Sequence, residues 1–476
     1  MTKEMLKSNQ HQEQNRSSSK TTLFSLACAL LMPTLGVSIT NVALPDLANS
    51  FNASISSVSW VVISYLVSVV TFIMGAAVFG DIFGRKPLLL LGIGFFSVTS
   101  LICAISVNLW MLVAARMIQG LGAALILSQT LALASSAQPK SKIGSAMGFL
   151  STTAAIGTAL GPVVGGFLLE IFGWQSIFWT MFGLGCVSFS LNSHFIPNAL
   201  HKLSGGYKDY DFIGTLLLGL ACLLYALSVT QHSPMLKTSS IMLLAAAALV
   251  FTLFLIRQHN CKTPLIKLSF FHNKLRNVTL AANFFVDLVA MSTLVIGPYF
   301  LTYRFGLSGL DLGILMAVGP FLSACSGYPA GKLVDLIGAK RVMYLGLSCM
   351  FIGILCFAFL PILFGLAGYI AALFVLTPGR QMFLTSNHSY IMSGAAQNEK
   401  GLASGVLNLV KNLGLMTGAS MMVRVFASQL PTENIRVATR QELEAAFTST
   451  FVLASAFIGV LLLCVYWVSA RSNKFE

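Results

Sequence analysis

Charged residues are scarce in this sequence, and acidic residues are the scarcest of them. Of the 476 residues, 15 are Asp or Glu, and all charged residues together make up 9% of the chain, against 56% that are hydrophobic. A soluble protein of this length cannot cover its surface with so few charges. The composition therefore excludes a soluble protein and indicates that apolar side chains face lipid.

Motifs of several other functional classes are also missing. The sequence contains no Walker lysine motif, no HExxH and no GxSxG, and its nine cysteines show no CxxC pair or metal-ligand spacing. The basic residues that give the formal charge of +14 are scattered between apolar runs, whereas a nucleic-acid surface needs them on one exposed face. We therefore predict no enzyme, no cofactor, no metal site and no nucleic-acid partner.

Fourteen apolar stretches are long enough to cross a bilayer as helices, which takes about 20 residues. The predicted spans are residues 22–45, 57–80, 87–106, 109–135, 144–169, 175–196, 212–230, 240–257, 277–303, 309–331, 342–361, 366–392, 402–425 and 446–470. The sequence thus predicts an all-α integral membrane protein with about 14 transmembrane helices.

The distribution of basic residues predicts that both termini lie in the cytoplasm. With the N-terminus placed there, 21 of the 29 Lys and Arg residues fall on the cytoplasmic side, four fall on the other side, and four lie within or at the ends of spans. Cytoplasmic loops carry an excess of Lys and Arg. Because one missed helix would reverse the side of every later loop, this asymmetry also supports the span count.

Two sequence patterns occur once in each half of the chain. The turn after the second span, AVFGDIFGRK, recurs after the tenth as GKLVDLIGAK, so that Asp81 and Gly84 match Asp335 and Gly338 at a shift of 254 residues. Four glycines of the fifth span recur 257 residues later in the thirteenth; the pairs are Gly144 and Gly401, Gly148 and Gly405, Gly157 and Gly414, and Gly161 and Gly418. Duplicated six-helix halves are typical of secondary transporters, which expose a central site to either side in turn.

The repeat predicts four parts of the chain. These are a cytoplasmic N-terminal tail (1–21), an N-terminal six-helix bundle (22–196), two inserted transmembrane helices (212–257) and a C-terminal six-helix bundle (277–470). The inserted helices belong to neither half.

Three motifs in the first half carry a resemblance to a known family. RMIQGLGAA (116–124) is similar to an Arg-x-x-Gln-Gly-x-Gly-Ala-Ala motif, GTALGPVVGG (157–166) to Gly-x-x-x-Gly-Pro-x-x-Gly-Gly, and the turn with Asp81, Gly84 and Arg85 to a cytoplasmic signature. With these motifs the chain resembles the major facilitator superfamily, and in particular its fourteen-span drug/proton antiporter branch. The resemblance implies the major facilitator fold and proton-coupled efflux through a bacterial inner membrane.

The first span departs from the pattern of that branch. Its members usually carry an acidic residue a few positions ahead of Asn-Val-Ala-Leu-Pro, whereas LGVSITNVALP (35–45) has Gly36 there and Asn41 in the motif itself. The expected carboxylate for a proton or a cation is absent. We keep Asn41 as a candidate for the site.

Four charged residues within predicted spans are the other candidates for proton coupling or substrate binding. Asp287 falls near the bilayer midplane, where loss or gain of a facing cation can make a carboxylate bind or release a proton; a static ion pair is the alternative. Lys411, also near mid-membrane, needs an anion, either Asp287 or a substrate. Arg116 either faces the cavity, as the family implies, or anchors backbone carbonyls, and Arg380 either reaches the cavity or extends to the interface.

The remaining candidates have mechanical roles. Asp81, Gly84, Arg85, Asp335 and Gly338 are expected to form a cytoplasmic gate in which charges hold one conformation closed. The glycines and proline of the antiporter motif would let helices approach and bend where the halves meet; they are Gly157, Gly161, Pro162, Gly165 and Gly166.

Three functions stay open at this point. The leading hypothesis is a proton-coupled exporter of amphipathic small molecules of the multidrug-efflux type, with protons, a small-molecule substrate and the lipid bilayer as partners; export across an inner membrane also admits a periplasmic adaptor. The cationic set of Arg116, Arg380 and Lys411 motivates transport of an anionic metabolite or a siderophore-like chelator instead. A non-transporting membrane sensor is the alternative from another class, although no long soluble loop is present.

Overall fold

The computed structural model describes residues 2–136, 143–196, 211–230, 237–261, 264–265, 268–393, 400–430 and 438–472. Side chains are described from residue 21 onwards, apart from some helical positions, Asp81 among them. Within these ranges the chain is helical and contains no strand. The fold is therefore the all-α membrane architecture that the sequence predicts.

The helices follow one another with short connections. They are α1 (Thr2–Val42), α2 (Leu44–Ser50), α3 (Ile55–Phe83), α4 (Arg85–Ala104), α5 (Leu109–Ser136), α6 (Ile143–Phe172), α7 (Gln175–Phe195), α8 (Phe212–Thr230), α9 (Lys237–Asn260), α10 (Lys274–Phe305), α11 (Gly309–Ile337), α12 (Ala339–Ser393), α13 (Lys400–Thr417), α14 (Val423–Ser428) and α15 (Arg440–Ser472). A 3₁₀ turn, Leu268–His272, precedes α10, and a π-helical turn, Gly418–Met422, joins α13 to α14.

Eleven helices in the described part of the chain are long and apolar enough to cross a membrane. The sequence predicts fourteen spans, and the difference has three sources. The helix α7 is not among the eleven, and the apolar helix Phe212–Ser228 is shorter than the others. The single helix α12 covers two predicted spans. The count of fourteen therefore stays a prediction.

The long helix α12 is interrupted at Gly365. This residue has φ 62° and ψ −138°, which is not a helical conformation, and only glycine adopts it without strain. Pro361, four residues earlier, removes a backbone donor in the same region. The interruption lies between the predicted spans 342–361 and 366–392, so the chain can reverse there.

One glycine pair of the repeat, Gly157 and Gly414, makes equivalent contacts in the two halves. A Cβ at Gly157 would lie 2.4 Å from Thr34 Oγ1 of α1, and one at Gly414 would lie 2.3 Å from the backbone oxygen of Phe284 in α10. In both cases a missing side chain lets the fifth helix of a half lie against the first helix of that half. The sequence repeat thus corresponds to a repeat in packing.

The two halves contact each other mainly through α6 and α11, and less extensively through α3 and α13. At the end of the molecule opposite residue 21, which we call the far end, Glu170 Oε2 accepts a hydrogen bond from the backbone nitrogen of Leu310 at 2.9 Å. Tyr303 donates to Asn49 Oδ1 across the same end at 3.0 Å. The far end is therefore closed in this structure.

The helices α8 and α9, which the sequence predicts to be an insertion, form a hairpin in which one carboxylate joins both helices. Asp211 accepts from the backbone nitrogen of Gly214 in the first turn of α8, from Arg257 Nε at 3.1 Å and from Gln258 Nε2 at 2.8 Å, both on α9. The helix α8 packs on α3, and its Ser228 oxygen accepts from Arg424 Nη1 of α14 at 3.1 Å. The hairpin therefore contacts both halves at the α3 and α13 side.

Candidate functional site

A cavity of about 980 Å³ lies between the two halves, and we call it the central cavity. Tyr65 and Thr158 line it from the first half, and Met316, Arg380 and Lys411 line it from the second. Most of the remaining wall is formed by Leu, Val, Met, Pro and hydroxyl side chains. This volume lies in the range of sites that hold drug-sized ligands. The central cavity is the candidate substrate site.

Asp287 is buried beside the central cavity and is paired with Arg380. Its side chain is fully buried, and Oδ1 lies 2.7 Å from Arg380 Nη2, whose side chain is 23% exposed. The other carboxylate oxygen accepts from Asn283 Nδ2 at 2.8 Å, and Asn283 Oδ1 in turn accepts from Asn387 Nδ2 at 3.0 Å. The carboxylate therefore has a cation and an amide as partners.

This arrangement assigns partners that the sequence left open. Arg380 reaches the cavity wall, and it is Arg380 rather than Lys411 that pairs with Asp287. Asn283 could have been read from the sequence, because residues four apart share one face of a helix. Asn387 could not, because its contact with Asn283 joins residues that are 104 positions apart.

Lys411 lies on α13 with an exposed side chain that lines the central cavity. Asn408 and Asn412 line the cavity on the same helix. A Cβ at Gly414, one turn further along, would lie 3.2 Å from Asp287 Cβ, so α13 approaches α10 closely at this level. The close approach brings Lys411 into the neighbourhood of the ion pair.

His388 is a member of this charged group that sequence reasoning left out. Its side chain lies within electrostatic range of Lys411, Asp287 and Arg380, which come from three different helices. The sequence alone does not distinguish His388 from a packing histidine. Only the packing of α12 against α10 and α13 brings it near the charged residues of those helices.

Arg116 lies behind Tyr65 and does not line the central cavity. It is 1% exposed, its guanidinium carbon lies 4.4 Å from the centre of the Tyr65 ring, and Nε donates to the Val61 oxygen at 3.1 Å. Nη1 donates to Gln119 Oε1. The same amide donates through Nε2 to Ser100 Oγ at 2.6 Å. These contacts match the backbone-anchor interpretation in geometry, and the expected position facing the cavity is not observed.

Asn41 is buried at 1% exposure, and it does not line the central cavity either. Neither its Nδ2 nor its Oδ1 has a hydrogen-bond partner among the described residues. A buried amide without partners costs free energy. The structure gives no account of how this cost is met.

The two copies of the turn between the predicted spans have the same backbone geometry. Gly84 follows α3 with φ 95°, and Gly338 follows α11 with φ 87°, a region that favours glycine. Arg85 Nη1 donates to the Ala132 oxygen at 3.1 Å, and Asp335 is exposed. The side chain of Asp81 lies outside the described part, so the charge clasp between Asp81 and Arg85 stays a prediction.

The antiporter-motif residues place α6 between α1 and α11. On one side, added Cβ atoms at Gly161 and Gly165 would lie 2.5 Å from Ser38 and 2.8 Å from Ile39 of α1. On the other side, a Cβ at Gly166 would lie 2.3 Å from the Gly309 oxygen of α11. In the same contact, a Cβ added at Gly313 of α11 would lie 2.2 Å from the backbone oxygen of Pro162. The motif therefore lies where the halves meet, near the closed far end.

Comparisons with known proteins agree with this architecture. The model of the Major Facilitator Superfamily matches residues 26–419. The riboflavin transporter RibZ of Clostridioides difficile is 29% identical over 92% of this chain and 96% of its own length, and the methylenomycin A resistance protein of Bacillus subtilis is 28% identical over 86% and 88%. Among solved structures, the nucleoside transporter NupG superimposes with a TM-score of 0.66 at 12% identity, covering 94% of this chain and 98% of NupG.

Proposed function

Because the chain belongs to the major facilitator superfamily, whose model matches most of its length, we propose that it is a proton-coupled secondary transporter that exports amphipathic small molecules from the cytoplasm. In this proposal it is a member of the fourteen-span drug/proton antiporter branch, located in a bacterial inner membrane with both termini in the cytoplasm. Transport of small molecules is common to the family. The direction and the coupling ion are the proposed parts.

The observation that carries the proposal is the ion pair between the buried Asp287 and Arg380, which lines the central cavity. A buried carboxylate stays ionised while a cation faces it, and it favours the protonated form when the cation leaves. Arg380 is on α12 and Asp287 is on α10, so a relative movement of these helices can separate them. Asp287 is thereby the proposed proton site.

The export of amphipathic compounds is supported by two features. The cavity wall combines apolar side chains with hydroxyl and amide groups, as an amphipathic ligand requires. A methylenomycin A resistance protein is among the relatives, and GTALGPVVGG resembles the antiporter motif. Alternating access would proceed by rocking of the halves along α6 and α11, with the repeated turns at Gly84 and Gly338 as the proposed gate.

The test is transport in proteoliposomes with an imposed pH gradient, with fluorescein, riboflavin and ethidium as anionic, neutral and cationic fluorescent probes. Wild type is compared with Asp287→Asn, which keeps the shape of the side chain but cannot carry the charge. We expect gradient-driven flux to fall about tenfold or more in Asp287→Asn, while exchange without a gradient persists, because exchange needs no net proton movement.

The matched control is Asp311→Asn, which removes an exposed carboxylate in the first turn of α11. Its flux should stay within about twofold of wild type because surface substitutions have small effects. Normal gradient-driven flux in Asp287→Asn would leave only the static ion pair and refute the proposed proton site.

A further inference from the structure

The described wall of the central cavity carries two cations, and a carboxylate pairs with one of them. Its charged members are Arg380 and Lys411, and no acidic side chain lines the cavity in the part of the chain that the structure describes. Asp287 is close, but its carboxylate is fully buried and faces Arg380 and Asn283. A cation in a low-dielectric environment is costly unless an anion or water compensates it.

In the part of the chain that the structure describes, Lys411 is the cavity cation without a carboxylate partner. Among the described residues, no carboxylate lies within ion-pair distance of its ammonium group, and its side chain is exposed to the cavity. Asn408 and Asn412 line the cavity on the same helix as Lys411 and give this part of the wall a polar character. The group is therefore placed to bind an anion from the cavity.

Arg380 contributes a second cation to the same space. A guanidinium has five N–H donors, and Asp287 accepts from Nη2. Nε of Arg380 is buried and has no hydrogen-bond partner within the described ranges, while part of the side chain remains exposed at the cavity wall. Lys411 of α13 and Arg380 of α12 line the same cavity.

The rest of the cavity fits an apolar body rather than a second polar group. Met291, Met316 and Leu415 line it, and the rings of Tyr65 and Tyr369 lie in the same wall. Sites of this kind orient a ligand by a few polar groups and bind its apolar part by burial. An occupant with one anionic group and an apolar or aromatic body would satisfy both regions.

We propose that the substrates are amphipathic organic anions, and that Lys411, with Arg380 beside it, binds their carboxylate group. This inference rests on the proposed function as a transporter and specifies its substrate class. It assigns Lys411 as the residue that determines specificity for charge. A cationic substrate would face the ammonium group of Lys411 and no exposed carboxylate on the described wall.

The test uses three probes that share a naphthalene ring and differ in charge: 2-naphthoate, 2-naphthylmethanol and 2-naphthylmethylammonium. Binding to the full-length protein in lipid nanodiscs is measured by equilibrium dialysis at pH 7.5 without any gradient, with empty nanodiscs as background. We expect naphthoate to bind about tenfold more tightly than the alcohol, since a charge-assisted hydrogen bond is added, and the ammonium to bind most weakly.

The decisive variant is Lys411→Gln, which keeps a polar side chain at this position but removes its charge. It should weaken naphthoate binding about tenfold and change binding of the alcohol by less than about twofold, whereas Lys411→Arg should restore naphthoate binding. The matched control is Lys332→Gln, because Lys332 is exposed on α11 and does not line the cavity. Its binding should equal that of wild type.

Several outcomes would overturn the assignment. If naphthoate shows no advantage over the alcohol, whether all three probes bind alike or none binds, the cavity does not select anions. If Lys411→Gln weakens the binding of naphthoate and of the alcohol equally, Lys411 has only a packing role. Because binding is measured without a gradient, these outcomes are independent of Asp287→Asn in the flux assay, so failure of the substrate class and failure of proton coupling can be told apart.

Discussion

Asp287 is fully buried, and Arg380 is the cation that compensates its charge. Breaking a buried pair by removing one partner leaves an unpaired charge, which is costly, while protonation of a carboxylate removes the charge itself. This is the physical reason why the pair suits a site that must change its protonation state during transport. Arg440 lacks this property in its pair with Glu444, because the Arg440 side chain is 70% exposed and water compensates its charge.

Arg116 illustrates how a charged residue can serve packing. Its donors bind Val61 and Gln119, and its guanidinium lies over Tyr65, so it joins α5 to α3. One atom, Nη2, has no partner among the described residues. Replacing Arg116 with lysine therefore separates two roles. A lysine keeps the positive charge but loses the forked shape that lets the guanidinium bind Val61 and Gln119 together.

We expect Arg116→Lys to destabilise the protein by about 1–3 kcal/mol, because an ammonium cannot bind the Val61 oxygen and Gln119 in the same geometry. The measurement is thermal unfolding of the purified protein in detergent. Arg440→Lys is the control, since the Arg440 side chain is 70% exposed, and it should unfold as wild type does. Unchanged stability of Arg116→Lys together with lost transport would favour a direct role of the guanidinium in transport.

At the scale of helices, small residues determine where the two halves can touch. The helix α6 lies close to both α1 and α11 because Gly161, Gly165 and Gly166 expose backbone on its two sides. The Pro162 oxygen faces Gly313 in the same contact. Such close approach of backbones is possible only where side chains are missing.

We expect Gly166→Ala to lower transport about tenfold or more without unfolding the protein. The added methyl would lie 2.3 Å from the Gly309 oxygen, which is backbone and cannot rotate away, so the far end would not close fully. Flux in proteoliposomes and thermal unfolding are measured together.

The control for this helix contact is Gly94→Ala in α4, where an added Cβ meets nothing within 4 Å. Its flux should stay within about twofold of wild type, and its stability should not fall, because alanine is the better helix former. Equal flux in Gly166→Ala and Gly94→Ala would show that closure of the far end does not depend on this contact.

At the scale of the whole molecule, the number of spans decides the side of the C-terminus. An even number places both termini on one side, whereas thirteen spans would separate them. The question centres on α7, the inserted helix α8 and the interrupted helix α12, since these account for the difference between eleven membrane-spanning helices and fourteen predicted spans.

Reporter fusions test this topology. Green fluorescent protein should fluoresce when fused after Lys208 or at the C-terminus, and alkaline phosphatase should be active when fused after Lys237, because each reporter works on one side of an inner membrane. The expected pattern follows from the positive-inside distribution. Phosphatase activity at the C-terminus would mean an odd number of spans and a wrong assignment in the second half.

The sequence alone determined the class of the molecule and several of its repeated features. Scarce charges and long apolar stretches predict a helical membrane protein, because a bilayer admits little else. The shifts of 254 and 257 residues predict equivalent structure, and the glycine pairs Gly84 with Gly338 and Gly157 with Gly414 do adopt equivalent roles. These are local or periodic properties, which a single sequence contains.

Only the tertiary structure decided which candidates meet. Asp287 pairs with Arg380, 93 residues away, and not with Lys411, and Arg116 lies behind Tyr65 instead of facing the cavity. Asn387 and His388 belong to the residues around Asp287 and Arg380, although no sequence pattern indicated them. The physical reason is that depth in the membrane can be counted along a helix, whereas the direction of a side chain depends on how each helix is rotated against its neighbours, and packing sets that rotation.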